Sequence, residues 1–215
     1  MAVRSPAPLV VICGPMFAGK STELLRRVER AQAEGREALV AKPARDTRYA
    51  LDAVVTHDGA RLPAVAVASV AELAELVLAR AALPALVAID EIHFFADEAV
   101  APIAALRSRG VAIAVAGCDL DHFGDVFAPF DALLPAATEV ARLTGICARC
   151  GAPSTHSERL VPATDRIIIG GAAEFAATCA ACFRPSSGRL IGRATASARF
   201  TGRNRPSPRA TASGR

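Results

Sequence analysis

Short apolar runs at 9–13, 38–41, 64–68, 85–89 and 111–116 punctuate the chain, rich in Val, Ile, Leu and Ala. Unbroken apolarity over so few residues marks a strand covered on both faces, as in a parallel sheet. Between these runs the period changes. Within 21–34, Leu24, Leu25, Val28 and Ala31 recur at the spacing of one helical face, and 70–80 and 97–109 also read as helices. Strand and helix in alternation predict an α/β fold with a mainly parallel central sheet. After about Arg142 the pattern stops, and two close cysteine pairs flank a polar, poorly periodic stretch. The expected division is 1–141 for the first domain, 142–185 for a small second unit, and 186–215 for a disordered basic tail of Ser, Arg, Gly and Pro.

Composition adds bounds to this picture. With 215 residues, 52% of them hydrophobic, the chain can bury one ordinary core and carry a small accessory unit. The formal charge of +4 suggests a nucleic-acid partner only until it is located: residues 186–215 hold seven arginines and no acid, leaving 18 basic against 21 acidic residues elsewhere. The folded part is mildly acidic, so no specific nucleic-acid partner is expected. The longest apolar stretch, 62–89, is interrupted by Glu72, Glu75, Arg80 and two prolines and cannot cross a bilayer as one helix. The first eight residues lack the apolar segment of a secretory signal. A cytoplasmic protein without membrane contact is expected.

The run 9–13 leads into Gly14, Pro15, Met16, Phe17, Ala18, Gly19, Lys20 and Ser21, a G-x-x-x-x-G-K-S sequence between a predicted strand and a predicted helix. Glycines let backbone N–H groups converge on phosphate oxygens, and the helix N-terminus adds the positive end of its dipole. Lys20 places a point charge near the β- and γ-phosphates, and Ser21 is expected to ligate Mg²⁺. A plain helix-capping turn explains Gly19 and Ser21, but not the lysine between them. The run 85–89 delivers Asp90 and Glu91 at its carboxyl end, where open α/β sheets place ligands. Asp90 is the expected second holder of Mg²⁺, and Glu91 the expected general base for a hydroxyl nucleophile. Positioned on a water instead, Glu91 would make the protein a nucleotide hydrolase or switch.

Cys147-x-x-Cys150 and Cys179-x-x-Cys182 form two knuckles with 28 residues between them. Four thiolates close a tetrahedral shell, so a structural Zn²⁺ pinning both ends of the 151–178 excursion is expected, with the P-loop domain's core separate from it. Disulfides are the alternative, disfavoured in a reducing compartment. Cys13 and Cys118 read as buried thiols, His156 as a loop histidine, and His57 as structural.

At this point the residues resemble a family. Gly-Pro-Met-Phe-Ala-Gly-Lys-Ser-Thr-Glu-Leu at 14–24, Asp-Thr-Arg-Tyr at 46–49, Thr-His-Asp at 56–58 and Asp-Glu-x-x-Phe-Phe at 90–95 look like the type II thymidine kinases. The similarity continues through 117–127, the cysteine pairs and 169–172, covering roughly 8–185. The resemblance implies ATP on the P-loop, Glu91 as catalytic acid/base, and Asp46 and Arg48 near the phosphates. His93, beside the acids, is counted with the nucleotide-binding residues. It further implies a nucleoside pocket touched by Met16, Phe94 and Phe127. A lasso-like loop would close over thymine with the backbone of Arg166, Ile167, Ile168, Ile169 and Gly170, and with Phe175 at an aromatic position. Deoxythymidine as substrate, feedback by deoxythymidine triphosphate and a homotetramer are also what the resemblance implies.

Three departures stand out. The family usually has Gln at His93, Tyr at Phe175, and Phe-Arg at His122-Phe123. Read without the family, Phe94, Phe127 and Phe175 suit a core equally well, Arg48 suits a solvated surface and Asp46 a turn. Gly170-Gly171 marks a place where bare backbone can approach something closely. A zinc-ribbon nucleic-acid binder is a third reading, weakened by Glu158, Asp165 and Glu174 around the cysteines.

Overall fold

The computed structural model describes residues 5–46, 53–55, 61–162 and 165–186. Arg48, the 56–58 triplet with His57, and the tail from 187 onward lie outside the described residues.

Strand β1 (Leu9–Cys13) runs into the glycine loop, and helix α1 (Lys20–Ala33) follows it. Then come β2 (Ala38–Pro43), a two-stranded antiparallel pair β3 (Ala53–Val55) and β4 (Arg61–Pro63), β5 (Val65–Val67) and α2 (Val70–Leu78). Strand β6 (Leu86–Ile89) leads into a 3₁₀ helix, Ile92–Ala99, and α3 (Val100–Ser108). Next are β7 (Ala112–Gly117), α4 (Phe130–Ala136) and β8 (Glu139–Arg142). The six-stranded sheet has the order β5-β2-β6-β7-β1-β8, and every pairing in it is parallel.

Alternation along β1 sorts its side chains into two cores. Leu9, Val11 and Cys13 point to one face, packed with residues of α2, α3 and α4 such as Leu73, Ile103 and Phe130. Ile12 points to the other, against Leu24, Leu25, Val28 and Ala31 of α1. The stripe read from the sequence is therefore the buried face of α1, and the sheet is the middle of three layers. Several elements escaped the periodicity, among them β3, β4, α4 and β8. The stretch expected at 97–109 holds the regular helix α3 from Val100, preceded by the 3₁₀ helix 92–99 with its break at Ala96 (φ 50, ψ −153). β8 is a mostly exposed edge strand with two charged residues in four, so no apolar run announces it.

The second unit is built from hairpin-sized pieces: β9 (Gly145–Ile146) pairs with β10 (Pro153–Ser154), and β11 (His156–Arg159) with β12 (Phe175–Thr178). His156 thus begins a strand rather than lying in a loop. Among the described residues no helix is long and apolar enough to cross a membrane.

Candidate active site

All the sheet's carboxyl ends point one way, so the segments after β1, β6, β7 and β8 converge on one rim. After β1, Gly14 takes φ 144, and a Cβ there would sit 2.2 Å from the Leu143 carbonyl oxygen; only glycine lets the strand turn beneath β8. Phe17 (φ 63) and Gly19 (φ 77) are left-handed, and Gly19 caps α1 with no side-chain help. The first amides of α1 are thereby left pointing into the loop. Lys20 is buried, and its Nζ donates to the Pro15 carbonyl at 2.6 Å.

β6 lies two strands from β1, with β7 between them, yet Ser21 Oγ donates to Asp90 Oδ2 at 2.8 Å. Asp90 is buried, and its other oxygen accepts the Glu91 backbone N–H at 3.0 Å. Burial, and then the neighbouring Glu91 carboxylate, push the Asp90 carboxyl up to about 7 against the Ser21 and Glu91 hydrogen bonds and Lys20. Such a site favours a cation, which would hold the carboxylate ionised. Glu91 itself takes the left-handed region (φ 50, ψ 44), a strained conformation for a non-glycine residue of the kind that clusters at functional sites.

His93 is buried between the rings of Phe94 and Phe127, at centroid distances of 4.6 and 5.1 Å. The backbone N–H of Cys118 donates to its Nδ1 at 3.3 Å. Because an amide only donates, Nδ1 presents a lone pair there, and its 3.5 Å approach to Glu91 Oε2 is not a shared proton. The bare Cα of Gly117 makes room, since a Cβ would reach 2.9 Å from Nδ1.

One cleft joins these parts. Its floor is 16–21, its acidic side Glu91, and its apolar wall Phe94, Phe127 and Phe175. Arg166, Ile167, Ile168 and Gly170 close it from the 160–174 segment. Ile167 also packs on the main core, Arg166 lies over the Phe127 ring at 5.2 Å, and Arg166 Nε donates to the buried Asp121 at 2.6 Å. Five expected residues do not line the cleft: Gly14 and Pro15 stand at the start of the loop, Asp46 is buried in the turn after β2, Ile169 is 43% exposed, and Asp90 sits behind Ser21. The close approach at Gly170 is to the side chain of Glu174, whose Oε2 accepts the Gly171 N–H at 2.6 Å.

Sequence reasoning missed Thr22, Leu120, Asp121 and Ser157 as cleft residues, and placed Cys118 and His122 in the chain without giving them to the cleft. Thr22 follows directly from the loop motif and Asp121 from the end of β7; nothing in the sequence marks Ser157.

The four sulfurs of Cys147, Cys150, Cys179 and Cys182 lie within 4.8 Å of one another, with Cys150 and Cys179 at 3.6 Å. A tetrahedron of Zn–S bonds near 2.3 Å has edges of about 3.8 Å, so the donor set fits zinc. Backbone N–H groups, that of Cys179 foremost, pull the Cys147 thiol down to about 6. The sulfurs of Cys150 and Cys179 push Cys182 up to about 12. Without a cation such a cluster cannot carry four thiolates together.

A glycine loop on a parallel sheet, an acidic pair across it and an appended four-cysteine module define a P-loop nucleotide-binding protein of the α/β class. Comparison with known proteins narrows this. The chain belongs to the thymidine kinase family, whose model matches residues 7–183. It is 43% identical over 178 residues to a thymidine kinase of Deinococcus deserti, covering 77% of this chain and 88% of that protein. It is also 39% identical over 174 residues to one of Mycoplasmoides gallisepticum, covering 78% and 77% of the two chains. A thymidine kinase of Chloroflexus aurantiacus is 37% identical over 185 residues, covering 82% of this chain and 94% of the relative.

Proposed function

We propose that the protein is a thymidine kinase, moving the γ-phosphoryl group of ATP to the 5′-hydroxyl of deoxythymidine to give deoxythymidine monophosphate and ADP. The observation that carries this reading is the continuity of one cleft from the phosphate loop, past Glu91, to a wall of aromatic rings and bare backbone. Family membership and the names of the relatives support it.

In this reading the amides of 17–21 cradle the phosphates, and Lys20 leaves the Pro15 carbonyl to meet the β- and γ-phosphate oxygens. Ser21 and Asp90 would hold Mg²⁺, whose charge offsets the negative charge of the transferring group. Glu91 takes the proton of the 5′-hydroxyl as its oxygen bonds to the γ-phosphorus. The bond from that phosphorus to the bridging oxygen breaks, and ADP leaves with the electron pair. Phe94, Phe127 and Phe175 enclose the base, and the backbone of 166–170 reads its edge, an arrangement open to deoxyuridine as well. His93 lines the cleft beside Glu91 and Phe94 and is counted with the nucleotide-binding residues, as are Asp46 and Arg48 for the phosphate end. The four cysteines hold a structural Zn²⁺. Homotetramer formation in the cytoplasm and inhibition by deoxythymidine triphosphate accompany the reading.

The test is ATP turnover with and without nucleoside across a panel of deoxynucleosides. Turnover that depends on deoxythymidine and yields its monophosphate is the expected result. ATP consumption indifferent to nucleoside would favour a hydrolase or switch.

A further inference from the structure

The second unit does not merely hang beside the P-loop domain; three successive residues of β11 reach three different parts of the molecule. Ser157, 4% exposed, uses its Oγ to accept the backbone N–H of Met16 at 2.9 Å, across 141 positions of sequence. Glu158, 5% exposed, takes the Arg149 guanidinium on one carboxylate oxygen and the Arg184 backbone N–H on the other at 3.1 Å. Arg149 stands between Cys147 and Cys150, and its other arm donates to the carbonyl of Cys182, so both knuckles converge on Glu158. Arg159 donates to the Asp165 carbonyl at 2.7 Å and holds His122 at 2.9 Å in the cleft wall.

We infer that Ser157 is a positioning residue for the phosphate-binding loop, and that β11 makes the geometry of that loop depend on the state of the cysteine cluster. Met16 immediately precedes Phe17, the non-glycine residue at φ 63 where the loop turns left-handed. A conformation of that kind persists only where its surroundings over-determine it. Two contacts from the second unit bracket this turn: the Ser157 hydroxyl on the Met16 amide, and Gly145, whose added Cβ would come within 3.2 Å of the Phe17 carbonyl oxygen. Successive strand residues point to opposite faces, so Ser157 and Glu158 are rigidly opposed on one short strand. Opening the cysteine cluster separates the two knuckles that Glu158 joins, and the displaced strand takes the Met16 acceptor with it.

The test uses the full chain, with amide hydrogen exchange followed by mass spectrometry over 14–22 and affinity for Mg·ADP measured by calorimetry. Ser157→Ala should speed exchange at Met16 and Phe17 and weaken Mg·ADP by about five- to tenfold, the effect of one buried amide left without an acceptor. Ser157→Thr, which keeps the hydroxyl, should restore both. Stripping metal from the wild type with a chelator should speed exchange at the same amides, and in Ser157→Ala it should add nothing further there, because both perturbations remove one contact. Wild-type exchange and affinity in Ser157→Ala, or failure of threonine to restore them, overturns the positioning role. Additive effects of chelation and substitution, or no effect of chelation on the loop, overturn the coupling. The inference rests on reading 14–21 as a nucleotide site, but neither readout needs phosphoryl transfer, so it can fail or stand separately from the kinase assignment.

Discussion

At the scale of single residues, the acidic pair divides its work by environment. Glu91 faces the cleft while Asp90 is buried behind Ser21. Glu91→Gln keeps the shape and removes the proton acceptor, so turnover should fall by roughly 10²-fold or more with ATP affinity retained, as steady-state kinetics and calorimetry will show. Asp90 carries a pH signature in the nucleotide-free protein. Its carboxyl is raised in the folded state from 3.8 to about 7, so the stabilised form is the protonated one. That contribution is present in full below the ordinary carboxyl range and is lost as pH climbs through about 7. Asp90→Asn is a permanent neutral stand-in. Its stability relative to wild type should therefore rise between pH 4 and pH 8, measured by denaturant unfolding without nucleotide; a constant difference would refute the assignment. The acids and the lysine were legible because the motif fixes their spacing along the chain. The distant partners of His93 were not, since they are the Cys118 amide just after β7 and the ring of Phe127, far off in sequence.

At the scale of elements, the loop between β1 and α1 is shaped by what lies over it. Gly14 combines φ 144 with a backbone carbonyl 2.2 Å from where its Cβ would be, and neither a rotamer change nor a side-chain shift relieves that. Gly14→Ala should cost about 3 kcal/mol or more. Gly35→Ala, at φ 72 with nothing within 4 Å, should cost only about 1 kcal/mol. Thermal unfolding of the two variants side by side decides it, and equal losses would mean that the contact with Leu143 is not the cause. α1 was readable because its stripe of Leu24, Leu25, Val28 and Ala31 obeys the helical period, whereas β8 is an edge strand in which Ala141 alone packs on the core, too little to make an apolar run.

For the molecule as a whole, the cysteine cluster brings the two ends of the second unit together. One zinc per chain is expected by elemental analysis of freshly purified, reduced protein. Cys150→Ser should lower the melting temperature and raise the nucleoside KM, because the strands bounding the 160–174 segment begin and end at the knuckles. The sequence suggested a P-loop core independent of the metal. Ser157 meets Met16 and Gly145 lies close to Phe17, so the unit abuts the loop, and on the inference above the same variant should also weaken nucleotide binding. A zinc-free preparation with unchanged stability and kinetics would remove this account.

What the sequence determined by itself was whatever is written in local spacing: the helical stripe, the buried strands, the glycine loop with its lysine, the acids at a strand end and the paired cysteines. Each depends on residues a few positions apart, whose relation survives whatever the rest of the chain does. Only the tertiary structure decided that β7 would stand between Ser21 and Asp90 and still let them meet, that Phe127 would pack against His93, and that a serine after the first knuckle would hold the amide of Met16. Those relations join side chains and amides separated by tens to more than a hundred residues. They are set by strand order and packing, to which no single stretch of sequence has access.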